Sequence, residues 1–314
     1  MKARAFWTVA PGRGEIRAED LRPPAPGEIR LTMIASGISR GTEALVFAGR
    51  VPESQFQAMR APLMAGAFPF PVKYGYCAVG HDESGARFFV LHPHQDIFHA
   101  PEALAVPVPD AVPSARAVLA ANMETALNLL WDATPLPGMR VLVIGAGVLG
   151  LLTGALLARI PGIEATLCDL DPARATQARA LGCRFALPDA APRDQDLVFH
   201  ASASAAGLAH ALRAAGDEAA IIEASWYGDA APVVPLGEDF HARRLRIIAS
   251  QVGRVAPAMR GRRSARARLA LALDLLCDPV FDALLEPVTR FEDLPAAMPR
   301  LLRGGLCHVI TYGA

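Results

Sequence analysis

Two textures of hydrophobic patterning divide the chain. Up to about residue 118 the apolar positions come in short alternating runs. EIRLTMIASG (28–37) is the clearest, and clusters such as PPAPG (23–27) separate them. Alternation predicts half-buried strands, and the Pro–Gly clusters predict turns between them. RFFVLHPHQ (87–95) and ALAVPVPD (103–110) continue this style. Residues 114–134, SARAVLAANMETALNLLWDAT, space their apolar side chains near 3.6 residues apart. They predict one helix, stopped by PLPG (135–138).

From residue 140 the pattern changes. RVLVIGAGVLGLLTGALLARI reads as a buried strand, a glycine turn and a helix. EATLCDLD (164–171) is a second strand, and PARATQARALG a second helix closed by Gly182. DLVFHASAS (196–204), EAAIIEASWYG (218–228) and LRIIASQVG (245–253) are three more apolar strands, with helical segments between the first two. Strand alternating with helix implies right-handed crossovers and a parallel sheet. Beyond 253 come a basic helix (262–277), a strand-like LLEPVTRF, a helix (293–303) and a final strand CHVITYG.

At 314 residues the chain exceeds one ordinary core. The fold class expected is therefore α/β, a β-rich domain plus a doubly wound parallel-sheet domain. Residues 1–122 and 253–314 form the first, and 123–252 the second. Hydrophobic residues make up 52% and charged residues 20%, enough for a large core and too apolar for disorder. Lys+Arg and Asp+Glu are both 31, and this balance argues against a nucleic-acid partner. The N-terminus shows no signal peptide. The longest apolar run, around 141–160, holds four glycines and does not read as a membrane span. The cysteines at 77, 168, 183, 277 and 307 form no CxxC, which fits reduced thiols and a cytoplasmic location.

GAGVLG (145–150) is GxGxxG, set between a strand and a helix. Gly145 permits the tight turn, Gly147 lets a pyrophosphate approach the backbone, and Gly150 lets the helix sit against the strand. With Val148 and Leu149 these residues are the candidate cofactor loop. Asp169 ends the next strand 24 residues after Gly145, where it would accept hydrogen bonds from ribose hydroxyls and repel a 2′-phosphate. NAD is favoured over NADP. Arg174 could reach either a ribose or a phosphate. His200 ends its strand with Ser202 and Ser204 after it, and strand C-termini face the ligand crevice in such sheets. His200 is read either as a cofactor contact or as a satisfied loop histidine. Trp226 and Tyr227 would line a nicotinamide or a flat substrate, or serve the core or a dimer contact.

The order of parts resembles the medium-chain dehydrogenase/reductase superfamily, over almost the whole chain. SGISRGTE (36–43) resembles its first catalytic motif, YGYC (74–77) its Gly-His-Glu motif, and FEDLPAAMPRLLRGGLCHVI (291–310) its C-terminal segment. The resemblance implies a GroES-like catalytic domain with a Rossmann domain, a small-molecule substrate, a homodimer through LRIIASQ (245–251), and contacts to the nicotinamide side near Glu124 and Thr125. In zinc members the catalytic ligands stand at positions matching Ser39, Tyr76 and a residue near Ala121. None of these is a thiolate or imidazole, and no four-cysteine lobe exists, so the chain is read as a zinc-free member. The SGIS…GTE and GY combination resembles the branch of the bacteriochlorophyllide hydroxyethyl dehydrogenase, which oxidises a side-chain secondary alcohol on a tetrapyrrole with NAD. A quinone or enone reductase is the alternative within the enzyme class. A catalytically inactive nucleotide-binding or sensing protein is the alternative outside it.

Without zinc, the group that polarises the substrate oxygen must be a hydrogen-bond donor. The resemblance offers Tyr76, Ser39 and Thr42. Tyr76 is either the proton-handling hydroxyl, helped by Lys73 or Arg40, or an aromatic pocket wall. Ser39 is a spacer or a substrate contact. Glu43 orients a neighbour or pairs with Arg40. Cys77 reads as a small buried apolar group. Glu124 is an acid/base or, preferably, a structural anchor. His92 and His94 form an HxH that reads as a metal pair or, more simply, as a packed turn. The arginines of 253–268 read as a solvated face, with an anionic substrate as the sharper idea.

Overall fold

The computed structural model describes residues 1–313. The chain forms two compact units, Met1–Ala121 with Leu269–Ala314, and Asn122–Arg268.

In chain order the first unit carries β1 (Lys2–Ala10), β2 (Arg13–Asp20), β3 (Glu28–Ile38), α1 (Arg40–Ala48), β4 (Ala65–Gly66), β5 (Val72–Lys73), β6 (Ala78–His81), β7 (Arg87–Val90), β8 (Ile97–Pro101), β9 (Val106–Pro107) and α2 (Ser114–Ala117). Then comes α3 (Ala120–Ala133). The second unit continues with β10 (Arg140–Ile144), α4 (Val148–Leu157), β11 (Glu164–Cys168), α5 (Arg174–Ala180), β12 (Arg184–Ala186), β13 (Gln195–His200), α6 (Ala205–Ala214), β14 (Ala215–Glu223), α7 (Asp239–Ala242) and β15 (Arg246–Ala249). After α8 (Ala265–Leu275), the strands β16 (Leu285–Arg290) and β17 (Cys307–Thr311), with α9 (Leu294–Leu301) between them, complete the first unit.

The first unit holds two sheets, ordered β2-β1-β5-β4 and β16-β17-β3-β6-β7-β9, with β8 also paired to β3. The alternation seen in EIRLTMIASG is the pleat of β3. Leu31 and Met33 point inward onto Ala78, Val90, Phe98 and Ala100, while Thr32 faces out. β17 pairs antiparallel with the far end of β3, His308 opposite Ile38 and Thr311 opposite Ala35. The C-terminal strand therefore frames the segment that leads into Ser39.

The second unit is a six-stranded sheet ordered β12-β11-β10-β13-β14-β15, every pair parallel. In chain order this is 3-2-1-4-5-6, the doubly wound arrangement, and the order reverses between β10 and β13. The apolar run of β10 is buried because helices cover both faces of such a sheet. α4 is buried from Gly150 through Leu157, as its apolar sequence requires, and the one hydroxyl, Thr153, donates back to Leu149 O at 2.8 Å.

Two details depart from the sequence reading. The single helix expected over 114–134 is two, α2 and α3, separated where Leu119 N–H bonds Arg116 C=O in a tighter i to i−3 turn at 3.0 Å. The edge strand β12 was not anticipated, because three residues carry no readable period. Within the second unit the Arg268 side chain bonds the backbone of Val252 and the carboxylate of Glu124. No helix among the described residues is long and apolar enough to cross a membrane.

Candidate functional site

The glycine loop turns directly after β10. Gly145 adopts φ of +100°, and a Cβ there would lie 2.9 Å from Ser202 N and from Ala201 C. A Cβ at Gly150 would lie 1.8 Å from Gly145 O, so α4 could not begin here with any side chain. A Cβ at Gly147 would meet nothing within 4 Å. Gly147 thus faces open space, beside the first-turn N–H groups of Val148, Leu149 and Gly150, which have no intrahelical acceptors. Such an end favours a phosphate group.

Asp169, just past β11, is half-buried. Its Oδ2 accepts from Ala146 N at 2.6 Å and its Oδ1 from Asp171 N at 2.9 Å. The carboxylate therefore holds the glycine loop, with acceptor capacity to spare. Arg174 pairs with Asp171 at 3.3 Å.

On the other side of the switch point, β13 and β14 bring His200 opposite Glu223 in register. His200 is fully buried. Its Nδ1 lies 2.8 Å from Glu223 Oε2 and its Nε2 lies 2.7 Å from Ser202 Oγ. Glu223 also accepts from Ser225 N at 2.8 Å and from the Tyr227 hydroxyl at 3.1 Å. Burial pushes the Glu223 carboxyl up, but the hydrogen bonds from His200 and the Ser225 N–H act against it, and the net shift is down. The Tyr227 ring stacks near His200, centroids 6.3 Å apart, and Trp226 is half-buried. Both nitrogens of His200 are thus spent inside the protein, and Ser202 is the group it presents. Thr125 is half-buried on α3 of the same unit.

In the first unit the structure brings Ser39, Thr42 and Tyr76 together. The Tyr76 phenol donates to Ser39 Oγ at 2.6 Å and also hydrogen-bonds the Thr42 side chain. Burial, with the neighbouring Tyr74 and Cys77, raises the phenol well above its ordinary value of 10, and the bonds to Ser39 and Thr42 only partly offset this. Tyr76 is a neutral donor, not a base. Lys73 does not assist it: its Nζ is held by Glu19 at 2.6 Å and Gln95 at 2.7 Å, beside the Trp7 ring. A row of rings leads to Tyr76, with Phe56–Phe68 and Phe68–Tyr74 centroids 5.8 Å apart and Tyr74–Tyr76 6.0 Å.

Behind this cluster lies a buried polar chain. Glu43 accepts from Ser39 N at 2.7 Å, and its other oxygen lies 3.0 Å from His94 Nε2. His94 Nδ1 meets Ser36 Oγ at 2.7 Å, which in turn meets the Tyr312 hydroxyl at 2.7 Å. Glu43 therefore orients the backbone of Ser39. His92 and His94 do not converge on a metal. His92 stacks on Phe98 at 3.8 Å and hydrogen-bonds Pro93 O. Among the described residues no group of three or more His, Cys, Asp or Glu could hold a metal ion. Zinc needs nitrogen, thiolate or carboxylate ligands, and Ser39, Tyr76 and Ala121 offer two mutually bonded hydroxyls and a methyl group. This donor set does not fit zinc.

Glu124 is an anchor. Arg268 Nε meets it at 3.0 Å, while Arg268 Nη1 bonds Asn128 Oδ1 at 2.5 Å and Nη2 bonds Val252 O at 2.6 Å. Arg268 is only 2% exposed, so the basic run is not uniformly a solvated face. Glu223, Ser36 and Tyr312 escaped the sequence reading because strand register brings them to their partners. For Glu223 a signal existed: it is a polar residue closing an apolar strand, as His200 is.

No protein-family model matches the chain, and no curated protein matches it. Solved structures do. A dehydrogenase from Sinorhizobium meliloti 1021, named as zinc-binding and bound to NADP, superposes with a TM-score of 0.80 at 16% identity, over 99% of each chain. L-idonate 5-dehydrogenase from Escherichia coli K-12 gives 0.80 at 14% identity, over 99% of this chain and 98% of that one. Benzyl alcohol dehydrogenase from Acinetobacter calcoaceticus gives 0.78 at 14% identity over the whole of both chains. At such identities the likeness establishes the fold, a β-rich unit joined to a Rossmann unit.

Proposed function

We propose that this chain is a zinc-independent, nicotinamide-dependent oxidoreductase of the medium-chain dehydrogenase/reductase superfamily, interconverting a secondary alcohol and a ketone. The observation that carries the reading is the glycine loop. Gly147 opens onto free space at the start of α4, while Gly145 and Gly150 admit no side chain. Val148, Leu149 and Gly150 would hold the pyrophosphate through backbone N–H groups, and Asp169 would accept from the adenosine ribose. Asp169 supports NAD over NADP, as does the engagement of Arg174 with Asp171. The bound cofactor supplies a hydride donor or acceptor at the nicotinamide ring.

The first unit supplies the rest of the reading. Tyr76, neutral beside Ser39 and Thr42, would turn its one O–H hydrogen from Ser39 to the substrate oxygen. That assists carbonyl polarisation and needs no metal. The ring row from Phe56 to Tyr76 supports a substrate whose reacting side chain is carried on a flat heterocycle of tetrapyrrole or pterin type. β15 ends its sheet with Ile247 exposed, which supports a homodimer through that edge, and light scattering tests it.

The test of function is NAD-linked turnover of a panel of secondary alcohols and ketones by protein dialysed against a chelator. Turnover that survives chelation is the expected result. Activity that vanishes and returns with zinc would overturn the metal-free assignment.

A further inference from the structure

We infer that Ser202 recognises a hydrogen-bond donor on the nicotinamide riboside half of the cofactor, with His200 and Glu223 as the positioning residues that fix its polarity. This rests on the nicotinamide reading above.

The argument begins at the carboxylate. Glu223 is acceptor-only, and it already takes hydrogen bonds from Ser225 N and Tyr227 OH. Facing it, a neutral imidazole must place its hydrogen on Nδ1, 2.8 Å from Glu223 Oε2. Nε2 is then an acceptor, so Ser202 must donate its hydroxyl hydrogen to it across 2.7 Å. Ser202 has one hydrogen, so at its 3.0 Å contact with Ser204 Oγ it must accept. Ser204 can donate there, because its own oxygen accepts from Gly207 N at 3.0 Å. Each link has one consistent direction, from Gly207 N–H through Ser204, Ser202 and His200 to Glu223. Ser202 Oγ is left with a single unused lone pair. It presents an acceptor and no donor.

The cluster is tightly fitted. A Cβ at Gly207 would lie 2.2 Å from Ser202 Oγ and 2.7 Å from His200 Nε2. Ala203, beside it, holds φ of +51°, in a conformation disfavoured for alanine, with its N–H on Ser225 Oγ at 3.0 Å. Ala201 N bonds Ile144 O at 2.8 Å, which ties the segment to the strand that enters the glycine loop. In a doubly wound sheet the first three strands bind one mononucleotide half and the last three the other. Asp169 follows the second strand, on the adenosine side, and Ser202 follows the fourth, on the nicotinamide side. The donors that half offers are the carboxamide NH2 and the ribose hydroxyls.

The experiment titrates the whole protein at pH 9. The ligands are NADH and reduced 3-acetylpyridine adenine dinucleotide, which keeps the ribose but has no carboxamide N–H. Wild type, Ser202→Ala, Glu223→Gln and Gly207→Ala are compared, with thermal unfolding as the folding control. If the carboxamide is the donor, wild type prefers NADH by about tenfold, the worth of one hydrogen bond, and each variant loses that preference. If a ribose hydroxyl is the donor, wild type binds both alike and Ser202→Ala weakens both by about tenfold. NADH binding that is unchanged in Ser202→Ala overturns the inference and leaves the cofactor reading standing. Failure of wild type to bind either dinucleotide overturns both.

Discussion

The phenol of Tyr76 donates to the hydroxyl of Ser39 across 2.6 Å. Thr42 completes this hydroxyl cluster. Replacing Tyr76 with Phe should lower kcat by about a hundredfold while leaving the affinity for NADH unchanged, as for loss of one preorganised donor. Because the phenol sits well above 10, the rate profile should show no limb from its ionisation below pH 10. Steady-state rates across pH 6–10 check both; an unchanged kcat would make Tyr76 a pocket wall.

Asp169 closes the glycine loop on Ala146, and in the proposed function it accepts from the adenosine ribose. Asp169→Asn keeps an acceptor oxygen and removes the charge. It should weaken NADH by about tenfold and erase the preference over NADPH, since the repulsion of a 2′-phosphate goes with the charge. Parallel titrations with the two reduced dinucleotides measure the ratio.

Glu124 and Arg268 form a buried pair, Nε to Oε1 at 3.0 Å. Removing one partner leaves the other buried without a counter-charge. Glu124→Ala should cost about 3–5 kcal/mol in urea unfolding, and the double variant Glu124→Leu with Arg268→Met should recover much of it. If Glu124→Ala proves as stable as wild type but inactive, Glu124 is an acid/base and not an anchor.

His92 is buried, and its imidazole is depressed from 6.5 to about 3, mainly by burial. A depressed group stabilises the fold fully above its unfolded value. That stability is lost as pH falls from 6.5 towards 3, since the unfolded chain takes up a proton the folded one refuses. The loss is at most about 1.4 kcal/mol per pH unit. His92→Gln should flatten the stability curve between pH 6.5 and 4, read by denaturant midpoints. An unaltered slope would mean that His92 protonates freely in the fold.

The parallel sheet was legible because β10, β13 and β14 are apolar runs bounded by glycine and polar residues, and GxGxxG marks the turn from β10 into α4. The three hydroxyls at 39, 42 and 76 were legible only through the resemblance. What the sequence hid is register and reach. Nothing in a string of letters pairs Glu223 with His200 or draws Arg268 out of a basic run into the interior. Nor does it send Lys73 to Glu19 instead of Tyr76, because Lys73 lies on β5 and meets partners from β2 and the 91–96 turn.

The central claim is that this fold holds a nicotinamide dinucleotide and needs no metal to do so. A fluorescence titration of chelator-dialysed protein with NADH and NADPH tests it most directly. The account predicts saturable binding of NADH, tighter than NADPH and unmoved by added zinc. No saturable binding of either dinucleotide, or binding that appears only once zinc is restored, would contradict it.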